Sequence, residues 1–171
     1  ELLVRVQSQS AMQVPLVLYT PRAFTEVMRD AQFSTGLYYG IVLALLFYNL
    51  VLWIMLRDSG YFWYLLHTGA FGMVLFTLNG YGFEYFWPNS AWLADASVPL
   101  SICLALVGMQ LFTRSFLELQ ERWPRGNLVS LCVTGFFVVL GVASFWLPYS
   151  AATPLASRAG LVGVVWIMVA T

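Results

Sequence analysis

Three large polar side chains interrupt otherwise apolar stretches of this chain: Asn49, His67 and Gln110. His67 is the only histidine, so it alone can change charge near neutral pH. An imidazole beside two carboxamides can build a hydrogen-bonded relay or a proton-sensitive contact. It makes a poor metal site, because no carboxylate lies close in sequence to complete a ligand set. Catalysis finds less support still. The chain has no paired Cys/His spacing and no Gly-rich phosphate loop after a strand, and no local Ser, His and Asp arrangement joins a nucleophile to its base. The expectation is a fragment without enzymatic activity, cofactor or metal.

The segments that carry these residues decide the class. "GLYYGIVLALLFYNLVLWIML" (Gly36–Leu56) holds no charge. At a rise of about 1.5 Å per residue it covers about 30 Å, the thickness of one hydrocarbon core. No polar stripe recurs every three or four residues, as a helix on a soluble core would need. Composition agrees: 60% of residues are hydrophobic and only 9% are charged, against about 25% charged in soluble domains. The 17% aromatic share suits interfacial Trp and Tyr belts. Net charge is zero and no basic patch occurs, which excludes nucleic acid as a partner. The lipid bilayer is the expected solvent.

Apolar segments follow at Tyr61–Gly80, Val98–Phe116, Leu128–Leu147 and Leu155–Thr171. The first two spans, linked by "RDSG", read as a tight helical hairpin. The third can start earlier, capped by Asn89 or Ser90, with Pro99 as a kink. "LELQERWPRG" reads as a helix leaving the membrane and ending before Pro124. Residues 1–19 differ, with two short β-like runs around "QSAMQ" that read as a hairpin left from a larger β domain. Residues 20–35 read as a helical connector started by Thr20-Pro21, and residues 36–171 as a truncated helical membrane module. The two Arg-bearing loops contain Arg57, Arg114, Arg122 and Arg125. The loops of the opposite side have only Arg158, after Pro148, while Arg5, Arg22 and Arg29 belong to the N-terminal part, which as a long exported domain escapes the charge rule. The basic loops are therefore expected in the cytoplasm and the N-terminal part outside.

Depth connects the polar residues. Counting along each helix places Asn49 about 10 Å, His67 about 9 Å and Gln110 about 12 Å from the inner face. One layer is expected, as interhelical hydrogen-bond glue or as a contact that repacks during signalling, with Asn49 facing His67 across the first hairpin. Cys103 and Cys132 fall about 16 Å apart in depth, too far for a disulfide. Gly36, Gly40 and Ala44 give small-xxx-small spacing, expected to serve packing within the bundle, with homodimerisation as the alternative use. The outer loop "GYGFEYFWPNSAWLADAS" reads as an aromatic belt, with Glu84, Trp87 and Trp92 forming a docking surface for an outer domain.

The ordered motifs "GLYYG" with Tyr48-Asn49, then Arg57-Asp58, Gly80–Phe83 with Trp87-Pro88, and "LFTRSFLEL" resemble the seven-transmembrane module of bacterial receptors with diverse intracellular signalling modules. The resemblance covers residues from about 33 to 147. It implies an all-α bundle of antiparallel spans, five here of an expected seven, in a bacterial inner membrane. It also implies a preceding β-sandwich sensor domain, whose end residues 1–19 would fit, and a cytoplasmic histidine kinase, diguanylate cyclase, phosphatase or adenylyl cyclase, outputs expected outside this fragment. On the residues alone, a small transporter or channel is the rival. It is disfavoured because the expected helix interiors are almost free of charge. An integral-membrane enzyme, the third reading, would need a metal or nucleophile cluster, and a membrane anchor is the remaining alternative.

Overall fold

The computed structural model describes residues 17, 19–147 and 149–170. The hairpin expected within residues 1–19 therefore lies outside the described residues, apart from Val17 and Tyr19. Six α-helices run in the order α1 (Pro21–Leu56), α2 (Ser59–Leu78), α3 (Ala91–Phe116), α4 (Leu119–Arg122), α5 (Pro124–Ala143) and α6 (Tyr149–Ala170), with a π-helical turn at Gly82–Phe86 before α3. All but α4 are long and apolar enough to cross a membrane.

Local chemistry sets the ends of these helices. The Thr20 hydroxyl accepts from the Ala23 N–H at 3.3 Å and Pro21 opens α1, where a missing donor costs nothing. Arg57, left-handed at φ 55°, ends α1 with its N–H donating to the Trp53 carbonyl. Asp58 then caps α2, Oδ1 accepting from the Gly60 N–H at 2.8 Å. Ser90 caps α3 through the Leu93 N–H. α3 continues through Pro99, which is fully buried, and α6 continues through Pro154.

Two boundaries differ from the sequence reading. The connector and first span are one continuous helix of 36 residues, because nothing between Thr20 and Leu56 breaks the hydrogen-bond ladder. At about 1.5 Å per residue it is about 54 Å long, roughly 24 Å more than a hydrocarbon core. α6 begins at Tyr149 instead of Leu155 and runs on through Pro154 in its second turn, although the ring removes one bond of the ladder there. That earlier start moves Arg158 from an outer flank to the middle of a span.

The spans alternate in direction, and α3 is the hub: it packs on α2, α5 and α6, whereas α1 packs on α2 alone. The interior is built from small residues such as Ala70, Ala105, Ser130, Ala152 and Ala156, while Leu43, Phe47, Met55, Val139 and Met168 point outward. Lipid is as apolar as these side chains, so helices gain from close backbone approach more than from burying bulk. Several buried hydroxyls are satisfied within their own helices, as where Thr134 donates to the Ser130 carbonyl at 2.8 Å and Thr113 to that of Met109 at 2.9 Å, whereas the Thr153 hydroxyl is buried without a partner.

Candidate functional site

The three polar residues occupy neighbouring levels of the bundle. A Cβ on Gly69 would meet Leu46 and one on Gly72 would meet Val42. In antiparallel helices that register sets His67 level with Asn49 to within one or two helical residues, about 1.5–3 Å. His67 also lies against Gly108 of α3, less than one turn from Gln110.

Their bonds, however, lead to different partners. The His67 Nδ1 lies 2.8 Å from the Ala105 carbonyl. A carbonyl only accepts, so Nδ1 carries the proton and the bond ties α2 to α3. The ring stacks on Phe71 at 6.3 Å. Gln110, 1% exposed, donates from Nε2 to the Gly163 carbonyl at 3.0 Å, tying α3 to α6, while its Oε1 is buried without a partner. Asn49 is buried, and its Nδ2 donates to the Leu45 carbonyl of its own helix at 2.8 Å. No hydrogen bond joins Asn49 to His67, which corrects the contact expected across the first hairpin. The ring of His67 is instead taken up by the closer α2–α3 interface.

Asn49 instead borders a cavity of about 430 Å³ with Tyr61, Tyr64, Phe112 and Ser115, closed at the loop end by Asp58 and Glu118. Beside it the Ser59 and Ser115 hydroxyls sit 3.0 Å apart and Arg114 Nε donates to Asn127 Oδ1 at 2.6 Å. These contacts fasten α2, α3 and α5 at the arginine-bearing end. Glu118, left-handed at φ 49°, turns the chain into α4, where Arg122 pairs with it at 3.2 Å. Trp123 stacks on Trp166 at 5.9 Å.

The other expected positions fall elsewhere. Gly36, Gly40 and Ala44 lie on an exposed face of α1, and a Cβ on either glycine would meet nothing within 4 Å. The stripe is not used for packing among the described residues, because α1 meets α2 through Tyr39, Val42, Leu46 and Trp53 instead. At the opposite end of the bundle, Phe76 gathers Tyr39, Tyr81 and Phe86 at centroid distances of 5.4–6.0 Å. Glu84 is exposed and Trp87 is half-buried with an unpartnered Nε1. Trp92 leans on Phe145 at 5.7 Å. Cys103 is buried and Cys132 exposed, both as free thiols. Among the described residues no three His, Cys, Asp or Glu side chains gather as a metal site.

Replacing His67 with Phe should keep the ring stack and remove only the α2–α3 bond. The expected loss is about 0.6 kcal/mol and at most about 1.7, by analogy with other interhelical bonds in membranes, read from unfolding in mixed detergent.

Five antiparallel apolar helices with α3 at their centre, tied by side-chain bonds from α2 to α3 and from α3 to α6, define a multi-pass membrane module. The chain belongs to the 7TM diverse intracellular signalling family, whose pattern it matches over residues 31–171. No curated protein and no solved structure matches it.

Proposed function

We propose that this module relays a change in an N-terminal, extracytoplasmic sensor domain to a cytoplasmic output domain of the histidine kinase or diguanylate cyclase type, with no catalysis of its own. The observation that carries this is α1: a continuous helix that extends well past one membrane thickness yet packs on α2 alone. Such a helix transmits rotation or translation along its axis, and few contacts resist its movement. The His67 and Gln110 bonds are then the next links, from α2 to α3 and from α3 to α6. A signal arriving along α1 shifts the equilibrium only by its differential affinity for two arrangements of these helices.

The orientation follows from charge. Arg57, Arg114, Arg122 and Arg125 cluster at one end, and with Arg158 inside α6 the loops at the other end carry no basic residue. The arginine-bearing end is cytoplasmic in a bacterial inner membrane. A transporter draws support from the mid-span Arg158, but α3 and α6 run unbroken through their prolines, unlike the discontinuous helices of such sites.

Insertions of one to four alanines after Ala31 in the full-length protein test the relay. Each rotates the preceding part by about 100°, so output activity should rise and fall with the helical period. Output indifferent to all four insertions would sink the relay and favour an anchor.

A further inference from the structure

Arg158 stands about 13 Å from the start of α6 and about 18 Å from its end, and it is exposed. A guanidinium does not lose its charge in a protein, and its placement at mid-membrane costs about 2.5–3.5 kcal/mol on insertion scales. The tilt of the side chain toward the start of α6 lessens this cost and leaves a fixed cation within the hydrocarbon region. No hydrogen bond or ion pair engages it among the described residues.

Beside it runs a groove of about 600 Å³ between α5 and α6, walled by Leu128, Cys132 and Phe136 on one side and Leu155 and Val162 on the other. This size suits a small-molecule site. Phe137 forms the floor. Arg158 is the single charged residue of an otherwise apolar lining. From Arg158 the groove passes Val162 and Leu128 toward the start of α5, a path for an apolar body below a polar head.

Charge selects the occupant. A two-fold dimer through this groove would bring two Arg158 cations together, and the nearby acids, Asp95 at the start of α3 and Glu118 between α3 and α4, lie toward helix ends and not at its depth. A single-chain amphiphile with an anionic head satisfies both features, since a carboxylate pairs with a guanidinium through two parallel bonds.

We propose that the α5–α6 groove binds a long-chain carboxylic acid that enters from the bilayer, its carboxylate on Arg158 and its chain along Cys132, Val162 and Leu128. This inference does not depend on the relay described above, and binding is its readout.

The test uses full-length protein in phosphatidylcholine nanodiscs with a diazirine-bearing palmitic acid and its methyl ester as probes. The acid should label α5 and α6 saturably, and the ester at least tenfold less. Arg158→Gln should lower labelling by the acid to the ester's level. Val162→Trp, which fills the groove and keeps the charge, should do the same and guards against misfolding of the first variant. Palmitic acid should also slow maleimide labelling of Cys132, followed at its peptide. Equal labelling by acid and ester, unchanged labelling of Arg158→Gln, labelling confined to other helices, or a Cys132-linked dimer that palmitic acid does not affect would each overturn the proposal.

Discussion

Gly108→Ala should lower stability by about 3 kcal/mol, the upper end of the usual cost of overpacking. A Cβ built there meets the His67 backbone nitrogen at 2.7 Å and its Cα at 2.9 Å. Backbone does not swing aside as a side-chain tip does, so α2 and α3 must separate along their whole interface. That interface is the most extensive in the bundle, and the 2.8 Å bond from His67 to the Ala105 carbonyl lies within it. Gly135→Ala is the control: nothing lies within 4 Å of a Cβ at that position, so stability should stay within about 0.5 kcal/mol. Unfolding of both variants in a detergent series checks the pair. Equal effects would mean that the α2–α3 approach does not set the cost, since helix propensity favours Ala at both positions.

Phe137→Ala should be nearly as damaging. Its ring is 1% exposed and presses on Gly163, where a Cβ would come within 2.8 Å of it, beside the Gln110 amide. In a soluble core the truncation costs about 3–5 kcal/mol, the sum of lost transfer energy and a cavity. Here the separated helix would still keep its ring in lipid, so the transfer part nearly vanishes and the cavity part remains. The expected loss is about 2–3 kcal/mol, measured by the same unfolding series. A cost as large as in water-soluble proteins would show that the separated helices meet water. Phe137→Leu should recover most of the loss by refilling the space.

The spans were legible because hydropathy over about 20 residues and capping residues are local signals. Thr20-Pro21, "RDSG" and Ser90 mark their helix ends as their chemistry dictates. Helical rise is fixed, so a depth along each span could be assigned to Asn49, His67 and Gln110 from the sequence. Their partners could not. α2 is apolar on every side, so nothing in its sequence sets the rotation that aims His67 at α3 instead of α1. Arg158 was misplaced for a related reason. Pro154 and the arginine itself lower local hydropathy, which put the start of the helix at Leu155 and left the charge at the membrane edge. Gly36, Gly40 and Ala44 specify a thin face without specifying a neighbour. Residues 1–16 lie outside the described part of the chain.

The acceptors of the inter-helix bonds have a mechanical consequence. Ala105 and Gly163 both lie inside regular helices, where each carbonyl also serves its own helix. Releasing His67 or Gln110 strands no backbone group; only the side chain loses its partner. The same carbonyls recur one turn away, about 5.4 Å along each helix. The bonds therefore resemble a pawl against evenly spaced teeth: firm in any one notch, inexpensive to lift, and able to engage again after a slip of one turn.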